Sequence, residues 1–275
     1  MASSVTIDRN GPVAVLTLDD PDRRNVLSAA MVSEIALAMD DLEADPAIRA
    51  LVVTGAGTTF CAGAELATLE QAADGDFGLI RGVYGGFLRI LNSPLVTIGA
   101  INGAAVGAGF NLALACDVRV AAETARFVCR FAELRIFPGG GHGWLLSRAV
   151  GHQQAALALL LGQTWNADQA YRVGLVADVV DRAKVVDTAT ALGAGLGDME
   201  TEYVRRLVGW LRRAPLVSDH DGALEAEAVQ QEWSTRRPAF LRGLADIKAS
   251  VGQRNAKPAV DGAGAPTPRD GRRGS

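Results

Sequence analysis

The chain has 275 residues, about half of them hydrophobic, so it can bury the core of one large domain or two small ones. With aromatics at 5%, that core must be built from Ala, Val and Leu. A net charge of −4 without a basic run excludes an electrostatic footprint for nucleic acid. No apolar run reaches the ~18 residues of a membrane span, and the N-terminus lacks the charged and apolar regions of a signal peptide, so the expectation is a cytoplasmic protein with no membrane partner.

Residues 5–8 and 13–19 read as strands joined by Asn10-Gly11, a hairpin signal. Residues 21–25 form a charged turn. Ser28 then caps a helix running to about Asp45, with Met31, Ile35, Leu37, Met39 and Leu42 in apolar positions. A β-branched strand at 50–54 opens into G-A-G-T-T-F-C-A-G-A-E-L at 55–66, and 67–78 reads as a variable loop. A helix over 79–91 ends at Asn92-Ser93-Pro94.

The stretch 98–117, I-G-A-I-N-G-A-A-V-G-A-G-F-N-L-A-L-A-C-D, begins as an apolar strand. It passes glycines at 103, 107 and 109 and becomes helical in period from about Ala108. A strand feeding a helix through such a hinge leaves backbone N–H groups without intrahelical partners, at the positive end of the helix dipole. A strand at 118–121 follows, then an irregular region over 125–138. A helix led by G-G-G-H-G runs to Val150, and further helices fall near 152–161, 167–173 and 184–196, with a strand at 175–180. The alternation argues α/β with a mostly parallel sheet. From 198 to 250 the pattern is helical only, over 200–213, 222–236 and 238–249. The composition of 252–275, rich in Gly, Pro, Ala and Arg, predicts a disordered tail. The expected division is therefore a core over 1–197, a helical region over 198–251 and the tail.

Cys61, Cys116 and Cys129 are an odd number with no metal-type spacing, which reads as buried reduced thiols with no metal site. Gly55-Ala56-Gly57 fails as a dinucleotide fingerprint because Phe60 stands where the third glycine belongs. No phosphate-binding P-loop, nucleophile elbow or Ser/His/Asp set stands out. His152 and His220 read as surface or capping residues. What remains is two glycine-rich turns, 60–66 and 103–111, each after a strand. Two such turns can aim one N–H each at a single oxygen, an oxyanion hole for a carbonyl gaining negative charge; the bland alternative is two tight turns.

The chain resembles the crotonase superfamily, also called the enoyl-CoA hydratase/isomerase family. The resemblance rests on P-D-R-R-N-V-L at 21–27, the 55–66 loop, A-I-N-G-A-A-V-G-A-G-F-N-L-A-L-A-C-D at 100–117, P-G-G-G-H-G-W-L-L-S-R-A-V-G at 138–151 and A-Y-R-V-G-L-V at 170–176, in order and at family spacing over about residues 5–250. It implies an α/β crotonase-like spiral of ββα turns with a helical C-terminal trimerisation region, assembled as a homotrimer or dimer of trimers. It also implies an acyl-CoA thioester ligand, with coenzyme A entering as part of the substrate and no separate cofactor. By motif position the oxyanion N–H groups are those of Ala62 and Ala108. Arg23, Arg24 and Val26 would line the coenzyme A path. The ligand would further touch Gly63, Ala64, Glu65, Leu66, Gly107, Phe131 and Pro138.

The sequence departs from the family at both hydratase glutamates. Three residues past the second oxyanion donor stands Asn111, and seven residues before Pro138 stands Phe131. Neither exchanges a proton usefully near neutral pH. Three ionisable residues are candidates to substitute. His142 sits at a helix N-terminus, where its pKa is lowered and a neutral imidazole can act as base. Glu133 lies two residues from the vacant position, and Glu65 replaces the Asp usual in its motif. Asn111 can still orient a water or a carbonyl. Two readings follow. One is an acyl-CoA enzyme of the hydratase/isomerase kind, in which ordinary hydration is in doubt and decarboxylation or thioester hydrolysis fits the missing glutamates. The other is a crotonase-fold protein that binds acyl-CoA without turnover.

Overall fold

The structure is a computed structural model that describes residues 4–256. β1 (Val5–Asn10) and β2 (Val13–Leu18) form the expected hairpin, with Asn10 opposite Val13. α1 (Ala29–Ala44) starts at Ser28, whose Oγ accepts from the Met31 N–H at 3.2 Å, and it buries Met31, Ile35, Met39 and Leu42. β3 (Ala50–Gly55) is buried along its whole length, which is why it reads as a continuous apolar run. β4 (Thr59–Cys61) follows.

Residues 67–78 are not a loop: they hold α2 (Leu66–Ala73) and the start of α3 (Phe77–Leu91). No residue of α2 is buried, so no core-facing period marks it in the sequence. Next come β5 (Val96–Ile101), β6 (Ala104–Val106), α4 (Ala108–Ala115), β7 (Val118–Ala122) and β8 (Arg126–Val128). α5 (Phe131–Leu134) is a single turn between two left-handed residues, Arg130 and Arg135. α6 (His142–Leu160) is broken at Gly151 (φ 77°, ψ 165°) into two helices that meet at a kink, one on either side of that residue as expected. β9 (Trp165–Asn166), α7 (Ala167–Arg172), β10 (Asp178–Val180), α8 (Val185–Ala194) and α9 (Thr201–Arg213) complete this part of the chain.

One sheet runs β1-β2-β3-β5-β7-β10, parallel except for the hairpin, and a second runs β4-β6-β8-β9. From β3 onward, three successive ββ-helix units each place one strand in each sheet, the spiral that the resemblance implies. Leu51 and Val53 of β3 face the core beneath α1, α3 and α4, while Ala50 and Val52 face Val185 and Ala189 of α8. The functional consequence lies in the second sheet. β4, β6 and β8 are parallel neighbours, Cys61 beside Ala105 after a register shift in β4, and Val106 beside Val128. The turns that leave their C-terminal ends, at 62–66, 107–108 and 129–131, therefore stand side by side.

The described chain divides into two compact units after Ser218. α9, grouped at the sequence level with the C-terminal helices, belongs to the first unit. Arg212 there clamps Asp117 at 2.8 and 2.7 Å and donates to the Leu91 carbonyl at 2.9 Å. Arg205 donates to the Glu43 carbonyl at 2.6 Å. The second unit consists of α10 (His220–Thr235), capped by Asp219, and α11 (Pro238–Ala256). Leu224, Phe240, Leu241 and Ile247 of that unit are exposed. α11 continues to Ala256, so the tail expected from 252 does not begin there; its remainder, 257–275, lies outside the described residues. Among the described residues no helix is long and apolar enough to cross a membrane. Cys61, Cys116 and Cys129 are free thiols, all buried.

Candidate active site

Two buried asparagines build the first turn. Asn25, itself left-handed (φ 56°), donates from Nδ2 to the carbonyls of Ala56 at 2.9 Å and Thr59 at 2.8 Å, and accepts from the Asp20 N–H at 2.9 Å. Asn102 donates to the Gly55 carbonyl at 2.7 Å and the Gly57 carbonyl at 3.2 Å, and accepts from the Gly55 N–H at 3.2 Å. Each replaces backbone partners that an irregular buried loop cannot supply for itself. Both residues lie within the quoted motifs, yet composition and period give no sign of their role.

The two turns meet in van der Waals contact, and glycine is what allows it. A Cβ on Gly109 would stand 2.1 Å from the Cys61 carbonyl oxygen, and one on Gly63 would stand 2.5 Å from the Val106 oxygen and 3.2 Å from the Ala108 nitrogen.

The Ala62 N–H is not a free donor. It is bonded to the Arg24 carbonyl at 3.0 Å, and the Leu27 N–H donates to the Gly63 carbonyl at 2.8 Å. Residues 24–27 thus lie against 62–63 as a short backbone ladder, which corrects the assignment of Ala62 to the oxyanion hole. The same ladder identifies another amide. In a trans peptide the carbonyl and N–H point in opposite directions, so with the Gly63 oxygen turned toward Leu27, the Ala64 N–H faces the other way. It has no acceptor among the described residues. Ala108 is the first residue of α4, and the carbonyl before it, Gly107 O, accepts from Phe110 at 2.9 Å and Asn111 at 3.1 Å within the helix. Its own N–H therefore points out of the helix end, and it too lacks an acceptor among the described residues. Gly107 makes this possible with φ 53°, ψ −115°. Ala64 and Ala108 are both half-buried.

The proton-transfer candidates fare differently. His142 is fully buried. Its Nδ1 is hydrogen-bonded to Asn111 Oδ1, and its Nε2 lies 3.3 Å from Cys129 Sγ. The rings of Phe110 and Phe131 stand edge-on to it at 5.1 and 5.0 Å. Burial pushes its pKa down to about 4, so the imidazole is neutral at pH 7, as expected for this position, but both nitrogens are already engaged. Asn111 turns its amide NH2 to the Gly139 carbonyl at 3.0 Å and the Gly140 carbonyl at 3.5 Å, away from any substrate. Phe131 packs its ring edge-on against His142. The Glu133 side chain is 68% exposed and pairs with Arg130 at 3.5 Å. Glu65 pairs with Arg23 at 2.6 Å, and Arg23 also holds Asp20 at 2.6 Å. That pairing, to Asp20 first and Glu65 next, raises the Arg23 pKa. Arg24 is exposed, Val26 and Pro138 are half-buried, and Leu66 is exposed at the start of α2.

Sequence reasoning missed Ala64 as a donor, because only the pairing of 24–27 with 62–63 reveals which peptide turns outward. It also missed Cys129, whose bond to His142 joins residues from different elements.

The Enoyl-CoA hydratase/isomerase family model matches residues 8–235. A Mycobacterium tuberculosis protein named probable enoyl-CoA hydratase EchA14 is 41% identical over 249 residues, 88% of this chain and 95% of its own. The Escherichia coli 1,2-epoxyphenylacetyl-CoA isomerase is 38% identical over 242 residues, 86% of this chain and 92% of its own. The crystal structure of an enoyl-CoA hydratase from Bacillus anthracis matches with a TM-score of 0.82 at 27% identity, covering 90% of this chain and 96% of that one.

Proposed function

Because the chain belongs to the enoyl-CoA hydratase/isomerase family, the crotonase superfamily, we propose that it acts on an acyl-CoA thioester whose carbonyl oxygen is held by the N–H groups of Ala64 and Ala108. The observation that carries this reading is the pair of outward amides, without an acceptor among the described residues, on two turns in contact at Gly63. As the thioester becomes an enolate, charge collects on that oxygen, where two fixed donors and the N-terminus of α4 stabilise it. Arg24, exposed beside the ladder, would meet phosphate of the coenzyme A moiety, which enters as part of the substrate.

Among the described residues, no carboxylate is assigned to the reacting carbons in this reading. Glu65 and Glu133 are held by arginines, and Asn111, Phe131 and His142 exchange no proton with a substrate. Simple hydration, which needs an acid or base where water adds, is accordingly slow. Decarboxylation fits better. The electron pair of the breaking C–C bond flows into the enolate, carbon dioxide leaves, and solvent supplies the proton at the α carbon. The chain thus reads as an oxyanion-hole enzyme for a specialised acyl-CoA. The exposed Phe137, Leu160 and Leu161 suit contact with further copies, a homotrimer or dimer of trimers, checked by sedimentation.

The test is Ala108→Pro. Proline is accommodated at the first helical position and puts a ring carbon in place of the N–H, so no donor remains there, and Gly107 already holds the mirror image of the extended conformation that precedes proline. Turnover is measured on a panel of enoyl-, 3-oxoacyl- and carboxyacyl-CoAs beside coenzyme A binding. The expected outcome is a loss of roughly 100- to 1,000-fold in turnover with the fold retained. Full activity in the variant would remove Ala108 from the mechanism. Binding without turnover across the whole panel in the unaltered protein would favour a non-catalytic acyl-CoA carrier.

A further inference from the structure

Cys129, His142 and Asn111 form one hydrogen-bonded chain that the proposed chemistry leaves unused. Asn111 Nδ2 donates to the Gly139 carbonyl at 3.0 Å, with Gly140 O at 3.5 Å. Its Oδ1 must therefore face the imidazole and accept from Nδ1–H. That fixes the tautomer: Nδ1 carries the proton and Nε2 is a bare acceptor. The Cys129 thiol, 3.3 Å away, donates S–H to it. Every polar atom along the line is thus satisfied without a charge.

The connectivity is that of a Cys-His-Asn nucleophile triad, and Cys129 also borders a cavity of about 380 Å³ with Val128, Ala132, Ala158 and Leu161. The environment decides against that use. Burial pushes the thiol up to about 12 and the imidazole down to about 4, both shifts that disfavour a thiolate–imidazolium pair. Phe110 and Phe131 close over the ring.

What the chain does touch is the oxyanion site. Asn111 lies in the first turn of α4, and its backbone N–H closes on Gly107 O at 3.1 Å. Its side chain crosses to the 139–141 turn, which is packed so tightly that a Cβ on Gly140 would stand 2.7 Å from Asn111 Nδ2 and 2.4 Å from Phe87 Cζ. We propose that Cys129 and His142 are positioning residues: through Asn111 they lock the first turn of α4, and with it the Ala108 N–H, against the 139–141 turn. This rests on the oxyanion reading for its effect on turnover, while the chain itself is tested independently of it.

The chain has three histidines, so ¹⁵N spectra of the intact protein resolve the His142 ring. The expected spectrum shows a neutral, Nδ1-protonated ring, unchanged from about pH 7 to about pH 5. A ring protonated on Nε2, or charged at pH 7, overturns the hydrogen-bond chain whatever the protein catalyses. His142→Asn keeps an N–H donor where Nδ1 was; His142→Phe keeps only the ring. Turnover is expected to fall at least about tenfold in His142→Phe with KM little changed, and to return to within about threefold in His142→Asn. Equal turnover in both variants overturns the positioning role. Rapid alkylation of Cys129 by iodoacetamide at pH 7 in the folded protein overturns it in favour of the nucleophile.

Discussion

Lowering the pH is the perturbation that bears most directly on the His142 environment. A solvated histidine titrates near 6.5, whereas His142 in the fold titrates at about 4, because burial disfavours its charged form. Above about pH 6.5 the ring is neutral in both folded and unfolded chains, and the full stability is present. Between that value and about 4 the unfolded chain binds a proton that the native chain refuses, so stability falls as pH falls. The gap of about 2.5 pH units corresponds to about 3 kcal/mol, most of it lost by about pH 4.5. The groups that face the ring are Asn111, Cys129, Phe110 and Phe131, none of them charged at these pH values. Carboxylates elsewhere also titrate in this range, so the measurement is a difference. Urea unfolding is followed across the pH series for the natural protein and for His142→Asn, which has no imidazole to protonate at that position. The natural protein is expected to lose about 3 kcal/mol more than the variant between about pH 7 and about pH 4. Parallel loss in the two would mean that the native ring takes up the proton freely, and the dry, neutral chain would be wrong.

Other perturbations separate architecture from chemistry. Gly109→Ala drives a methyl into the Cys61 carbonyl at 2.1 Å, so thermal melts should show a loss of several kcal/mol or failure to fold. Asn25→Ala removes the donor shared by Ala56 and Thr59 from a fully buried site; a loss of about 2–4 kcal/mol is expected in denaturant melts. Glu65→Gln breaks an ion pair to an Arg23 side chain that is 54% exposed, so stability should change by less than about 1 kcal/mol and turnover should hold, which a role as catalytic acid would not allow.

Where burial imposes a period, the sequence announces the element. The hairpin at Asn10-Gly11, the Ser28 cap and the buried faces of α1 and β3 are all visible as patterns. α2 buries nothing and so leaves no pattern. β4, β6 and β8 are three residues each, too short to show alternation, yet their parallel register brings the site together. The site was legible as two glycine turns, because glycine marks where backbones approach. Which amide in A-G-A faces outward was not, since it depends on the partner that 24–27 presents to Ala62 and Gly63. His142 was legible as a neutral imidazole from its place at a helix start, but its cause is burial, and the partners that immobilise it come from β8's exit and α4.

The thiols carry a practical consequence. Burial pushes Cys61, Cys116 and Cys129 up to about 12, and these three are all the cysteines of the chain. Maleimide chemistry at neutral pH should therefore pass over the natural protein. A single cysteine introduced on the exposed rim, in place of Leu66 for instance, becomes a unique attachment point for a fluorophore or spin label. Ligand-driven movement beside the paired amides can then be followed without first stripping the native sulfur from the interior.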